Sequence, residues 1–242
     1  MTVRPTDVAD AGSTQRTSAR RSGTAEEAIR TLSLDRGDAT HGELHGRREQ
    51  IFFHAAYLFL ERGFAATSMS DIAKAVGITK AGLYHFVSDK EELLFTLMQW
   101  GMAVLDEDVT VPARAIADPL ERLRFIACNH MLNIGRSSAR TGRGNPLTVI
   151  LDEPAGLSDD KRAVITEQKS RYFRFVRATL VELRDQGKLI DVDPSVATFS
   201  ILGMIVWFGR WYHPDGPIGL DAIADQVAEM VVRSAVKPQY LA

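Results

Sequence analysis

The sequence predicts an all-α protein, and three observations predict it. Apolar residues recur at helical spacing in most stretches beyond residue 46. Serine, threonine and proline stand where helices would open, and glycine where they would close. No run of strand length alternates polar with apolar residues.

Taken in order, residues 1–46 are rich in Ser, Thr, Ala, Gly, Asp and Arg and poor in large apolar side chains. Such a composition buries too little surface to offset its own ordering, so a disordered tail is expected. Residues 24–34 are the part of it able to form a brief helix. Arg16, Arg20 and Arg21 make a local basic cluster, but the tail's six arginines face seven acids, and a solvated tail is the reading. A first helix is expected over 47–62, with Ile51, Ala55, Leu58 and Phe59 on its packing face and Arg47 and Arg48 within reach of a phosphate.

The next stretch, TSMSDIAKAVGITKAGLYHFVSDKEELL over 67–94, reads as three short helices. Ser68 and Asp71 have capping-box spacing for the first, and Gly77 ends it in a conformation only glycine adopts cheaply. Thr79 caps a second helix, from Lys80 to about Phe86. Ser88 is expected to cap the third, with Glu91 at the capping-box position. Helix, glycine turn, helix is the pattern of a helix-turn-helix, whose second helix enters the major groove of DNA. Thr79, Lys80, Ala81 and Gly82 put backbone N–H groups and small side chains where such a helix meets base edges. Gly82 costs roughly 1 kcal/mol against alanine in a helix, and close approach to DNA is one reason to carry it. Lys80 is the candidate base-edge contact. Thr67, Tyr84, His85 and Lys90 are the expected phosphate contacts.

With the helix before it, this stretch resembles the DNA-binding domain of TetR-family bacterial regulators. The resemblance rests on Ile51, Ala55, Ala56, Phe59, Gly63, Phe64, Thr67, Asp71, Ile72, Ala73, Gly77, Thr79, Lys80, Leu83, Tyr84, His85, Lys90 and Leu93. It covers about a fifth of the chain. One position departs from the pattern: Val87 stands where the family usually has a buried phenylalanine, which leaves the role of Phe86 to the structure.

Beyond residue 92 the pattern stays helical. A helix shared by two domains is expected from Ser88 to about Asp106, with Leu97, Trp100, Val104 and Leu105 packing on the C-terminal helices. Leu120, Leu123, Ile126, Ala127, His130 and Met131 mark a helix to about Ile134, and the Gly, Ser and Pro content of 135–146 predicts a loop. A short helix over 147–151, a long one from Ser158 to near Gly187, one from Pro194 to about Tyr212 and a last one from Leu220 to about Val236 complete the chain. The helix opened by Pro194 is apolar nearly all round, which calls for cover on more than one side. Ala197, Ser200 and Gly203 line up at a spacing that lets a neighbouring helix approach. In the family this resembles, C-terminal helix pairs form the dimer.

The division expected is a tail (1–46), a helix-turn-helix DNA-binding domain (47–92) and a helical ligand-binding and dimerisation domain (93–242). Pocket candidates among the inward apolar residues are Met131, Ile134, Tyr172, Phe175, Trp207 and Trp211. Arg136, Arg140 and Arg143, on the predicted loop, are candidates for holding the phosphates of a nucleotide through paired hydrogen bonds. The stretch LGMIVWFGRWYHPDGPIG resembles that of TetR-type regulators of lipid and steroid catabolism, several of which respond to acyl-CoA thioesters. An acyl-CoA is therefore the expected effector class, with hydrophobic drugs and free fatty acids as alternatives.

The net charge of −2 announces no basic field, and residues 47–92 hold six Lys/Arg against six Asp/Glu. Any DNA affinity must come from charges placed on one face and from helix N-termini. One cysteine, Cys128, excludes an intrachain disulfide, fits a reducing cytosol and reads as a small buried hydrophobe. The uncharged run over 196–209 is too short to span a bilayer. His41 and His45 lack the glutamate of a zinc-binding helix, no nucleophile elbow, Walker loop or CxxC pair occurs, and His130 and His213 read as packing or capping residues. No catalytic residue, metal or cofactor is expected. The expected function is a ligand-responsive transcriptional regulator of cytoplasmic location, a repressor binding a palindromic DNA operator as a homodimer and released by a small hydrophobic effector. The alternative is a small-molecule binding protein of the same fold without operator-specific DNA binding.

Overall fold

The computed structural model describes residues 42–141 and 154–241. The described chain is helical, in the order α1 (Gly42–Arg62), α2 (Met69–Val76), α3 (Lys80–Tyr84), α4 (Lys90–Leu105), a π-helical turn (Asp106–Thr110), α5 (Val111–Arg114) and α6 (Pro119–Thr141). A 3-10 turn (Pro154–Gly156) precedes α7 (Asp159–Asp185), α8 (Pro194–Trp211) and α9 (Leu220–Ala235). The only pairing of extended backbone among the described residues is one antiparallel bridge between Leu189 and Val236, which ties the end of α9 to the α7–α8 loop. Residues 24–34 and 147–151, the three tail arginines, His41 and Arg143 lie outside the described residues.

The first core forms as the periodicity predicts. Ile51, Ala55, Leu58 and Phe59 of α1 are buried with Ile72, Ala73 and Val76 of α2 and Leu83 of α3. The same core takes Leu93, Leu94, Leu97 and Met98 from α4, Leu157 from the segment before α7 and Ile165 from the second turn of α7. It therefore runs past residue 92, because α4 buries its first two turns against the DNA-binding helices and its later turns against the C-terminal half. A second core joins α6, α8, α9 and the end of α7 around Leu123, Met131, Leu180, Ile205, Phe208 and Val232. A third, smaller one surrounds the π-helical turn: Met102, Leu105, Val109, Ala113, Ile126, Tyr172 and Val176.

Helix α3 ends at Tyr84, two residues short of the expected Phe86, and three other boundaries differ from expectation. Helix α1 begins at Gly42, five residues into the expected tail. Glu43, Leu44, Arg47, Arg48, Glu49 and Gln50 are good helix formers, and extending a helix costs less than starting one. The cap of α4 is Asp89, whose carboxylate accepts the Glu92 N–H at 2.8 Å, and not Ser88. A full negative charge suits a helix N-terminus better than a hydroxyl does.

The third difference is the largest. Helix α6 does not end at Ile134 but continues to Thr141, so Arg136 and Arg140 lie on a helix and not on a loop. Gly135 is buried within it, and a Cβ there would stand 2.1 Å from Leu220 Cδ1. The glycine serves a close approach between α6 and the start of α9, and the sequence signal for a turn was a packing signal.

Candidate DNA-binding face and effector cavity

Local rules build the helix-turn-helix. The Ser68 hydroxyl accepts the Asp71 N–H at 3.1 Å while the Asp71 carboxylate accepts the Ser68 N–H at 2.9 Å, completing the capping box. The Ser68 hydroxyl also donates to the Asp71 carboxylate at 2.5 Å, and this bond, with the one from the Ser68 N–H, holds the Asp71 carboxyl below its ordinary range. Gly77 closes α2 at φ 75°, the left-handed region that glycine enters without a Cβ penalty. The Thr79 hydroxyl then accepts the Gly82 N–H at 3.0 Å and starts α3.

Helix α3 is anchored by Leu83 alone, which is fully buried, and turns its other residues outward. Lys80, Ala81, Tyr84 and His85 are exposed, and Gly82 lies among them. A Cβ on Gly82 would meet Thr79 Oγ1 at 3.2 Å, a mild crowding that does not explain the glycine. The departure at Val87 is accommodated: Val87 occupies the buried position, and Phe86 packs half-buried beside it.

Two expected phosphate contacts are engaged inside the chain. Thr67 is 1% exposed, and its hydroxyl reaches the Gly63 carbonyl at 2.9 Å, with the Leu58 carbonyl at 3.2 Å. The Lys90 ammonium donates to the carbonyls of Phe64 at 2.8 Å and Thr67 at 2.9 Å, and lies 4.4 Å from the centre of the Phe64 ring. Its charge faces carbonyls left over by the turn between α1 and α2. Both residues fix that turn, from which α2 starts.

In the C-terminal half, Gln99, Met102, Leu105, Asp106, Thr110, Arg114, Gln168, Arg171 and Tyr172 line a cavity of about 380 Å³ between α4, the π-helical turn, α5 and α7. The carboxamide oxygens of Gln99 and Gln168 are buried without a hydrogen-bond partner. Tyr172, buried in its wall, shares a 3.0 Å hydrogen bond with His130 Nδ1. Burial pushes the Tyr172 hydroxyl up and holds the His130 imidazole down at about 4, so both are neutral. A larger space of about 530 Å³, between α6 and α9, is an open groove whose Arg124 and Glu229 pair with one another. Cys128 lines that groove half-buried, 3.6 Å from an Asp225 carboxylate oxygen, and is not the fully buried residue expected.

Among the described expected pocket residues, only Tyr172 lines this cavity, with Phe175 packed in the core around it. Met131 and Ile134 are sealed into the second core, on the side of α6 that packs with α8 and α9. Trp207 and Trp211 are 62% and 49% exposed on the outer side of α8, with Val196, Phe199 and Met204. Gln99 was missed, although its signal is in the sequence: it is the polar interruption of an apolar helix. Gln168, Arg114 and Arg171 gave none, being ordinary polar residues on charged helices.

Helix α7 touches both halves. Near its start the Ser158 N–H donates to the Glu91 carboxylate at 2.9 Å, and Lys161 pairs with Glu92 at 3.0 Å. The first bond keeps the Glu91 carboxyl below its ordinary range. Two turns on, the same helix presents Gln168, Arg171 and Tyr172 to the cavity.

Comparison with known proteins bears on both regions. The family model described as bacterial regulatory proteins, tetR family, matches residues 52–97. That of the tetracyclin repressor-like C-terminal domain matches residues 117–235. The crystal structure of AibR in complex with isovaleryl coenzyme A and operator DNA is 38% identical, with 76% of this chain and 97% of that one covered at a TM-score of 0.68. The HTH-type transcriptional repressor KstR2 of Mycobacterium tuberculosis is 26% identical over 208 residues, 83% of this chain and 98% of that protein. The structure of KstR2, a ketosteroid transcriptional regulator, matches 79% of this chain and 95% of its own at 25% identity and a TM-score of 0.70.

Proposed function

This chain belongs to the TetR family of bacterial transcriptional regulators, and we propose that it binds a palindromic operator as a homodimer and leaves it when a small effector binds. It is a DNA-binding transcriptional repressor and not an enzyme. The observation that carries the DNA contact is α3: a capped helix end presenting Lys80, Ala81, Tyr84 and His85 around a residue without a side chain. Lys80 reads a base edge, and Thr79, Tyr84 and His85 hold phosphates. Thr67 and Lys90 serve by holding the turn from which α2 starts, with α3 packed beyond it. The protein acts in the cytoplasm, where its operator is.

The outer face of α8 supports the dimer. Val196, Phe199, Met204, Trp207 and Trp211 recur at helical spacing and are exposed, with Gly203 open beside them. An apolar stripe of that length on one helix suits a second copy of itself. The effector site is the cavity of Gln99, Gln168 and Tyr172, and its ligand is an acyl-CoA. AibR, whose structure with isovaleryl coenzyme A is 38% identical to this chain, supports that class. The ligand acts on DNA through α4 and α7, which reach from the cavity to the first core, so that filling the cavity favours a half-site spacing the operator does not match.

The test is operator binding with DNA flanking the protein's own gene. Lys80→Ala should relax sequence preference by about 1–3 kcal/mol. An unchanged preference would remove Lys80 from the groove. Absence of any operator binding by the wild type would favour a small-molecule binding protein of the same fold.

A further inference from the structure

The segment that leads into α7 leans on the turn held by Lys90, and a residue without a side chain lets it do so. Gly156 lies in the 3-10 turn before α7 and is not among the left-handed glycines, which are Gly63, Gly77 and Gly187. Its backbone would suit alanine, so the missing side chain answers to space. A Cβ there would stand 2.6 Å from Phe64 Cδ1 and Cε1 and 2.8 Å from Leu94 Cδ2. The Phe64 ring is hemmed in on other sides, with the Lys90 ammonium 4.4 Å from its centre and the Phe59 ring 5.2 Å away, centre to centre. Further contacts hold the same segment down. Leu157 is 3% exposed in the first core, the Ser158 N–H donates to Glu91, and Lys161 pairs with Glu92 while its ammonium lies 5.7 Å from the centre of the Phe95 ring.

We propose that Gly156 is a positioning residue for operator binding: its close approach to Phe64 lets the C-terminal half hold the turn from which α2 starts. This rests on the reading of the chain as an operator-binding protein. Helix α4 is shared by the two halves, and contacts to one helix fix a body less firmly than contacts at two places. The segment before α7 supplies the second place. A push on Phe64 passes to Lys90, whose ammonium bonds the Phe64 and Thr67 carbonyls, and so to Ser68, the cap of α2. Close-packed groups transmit such a displacement because no void absorbs it. A methyl group at position 156 must move either Phe64 or the start of α7, and both moves shift α2 and α3 against the C-terminal half. Two turns on from Lys161, the same helix lines the cavity with Gln168 and Arg171, so one rigid element meets the cavity and bears on Phe64.

Gly156→Ala in the full chain tests this, by hydrogen exchange without DNA and by gel shift with the operator. Amides of residues 63–84 should exchange about tenfold faster in the variant, while those around Leu123, Leu180 and Val232 of the second core keep their rates. Operator affinity should fall about tenfold. Phe64→Leu gives the added methyl group room, so the double variant Gly156→Ala/Phe64→Leu should recover most of both losses. Faster exchange over the whole chain would make Gly156 a residue of general packing and overturn the assignment. Unchanged exchange over 63–84, wild-type operator affinity in Gly156→Ala, or a double variant no better than the single one would overturn it as well. Exchange is read without DNA. A wild type that bound no operator would therefore sink the operator reading, and the exchange pattern would still decide whether Gly156 holds the turn.

Discussion

The Lys90 ammonium lies 2.9 Å from the Thr67 carbonyl oxygen, and Thr67 in turn sends its hydroxyl to the Gly63 carbonyl. A cation at the start of α4 therefore closes the turn after α1. Lys90→Met keeps the aliphatic stem against Phe64 and removes the charge. It should lower stability by roughly 1.5–3 kcal/mol, the worth of hydrogen bonds to a charged group, measured by urea denaturation. The salt dependence of operator binding should keep its slope. A slope reduced by about one would mean that Lys90 reaches a phosphate on DNA.

Gly82 separates the needs of the fold from those of the ligand. Alanine there meets only the Thr79 hydroxyl, at 3.2 Å, and gains roughly 1 kcal/mol of helix propensity. Gly82→Ala should melt no lower than the wild type and should bind operator at least about tenfold more weakly, since a methyl group would hold α3 away from the groove. Wild-type affinity in a gel shift would show that the helix does not approach DNA along that side.

The exposed stripe on α8 makes a prediction about mass. Phe199 and Trp207 are 68% and 62% exposed, so Phe199→Glu/Trp207→Glu costs the single chain little. In the assembly it buries two charges per copy. Sedimentation should show the wild type at twice the chain mass and the double variant at one. A variant that stayed dimeric would move the interface to another face.

His130 sets the acid limit. Burial holds its imidazole at about 4, down from 6.5. Above pH 6.5 it is neutral in the folded and unfolded chain alike, and its contribution to stability is complete. As pH falls from 6.5 toward 4, only the unfolded chain takes up the proton, and stability is lost. By pH 5 the loss should be about 2 kcal/mol, at 1.36 kcal/mol per unit. His130→Gln should flatten that limb when urea midpoints at pH 7 and pH 5 are compared. An equal loss in the variant would assign the acid sensitivity to other groups.

The helices, the caps at Ser68, Gly77 and Thr79 and the family were all legible in the chain of residues. Those features are local: Ser68 finds Asp71 three residues on, Thr79 finds the Gly82 N–H, and the apolar face of α1 repeats within its own length. Hydrogen bonds and periodicities that close within one turn can be read from neighbours in the chain. What each outward or inward position meets is set by the packed molecule. Gly135 reads as a turn until Leu220, far along the chain, is seen against it. Lys90 and Thr67 read in the sequence as phosphate contacts, and only the folded turn after α1 shows the carbonyls that they bond within the chain. Trp207 and Trp211 read as pocket lining because both faces of α8 are apolar, and only packing against α6, α7 and α9 selects the face that stays outside. Gln99 and Gln168, on helices more than fifty residues apart in sequence, line one cavity only when α4 and α7 are laid side by side. Burial and partner choice depend on residues remote in the chain, and no local rule carries that information.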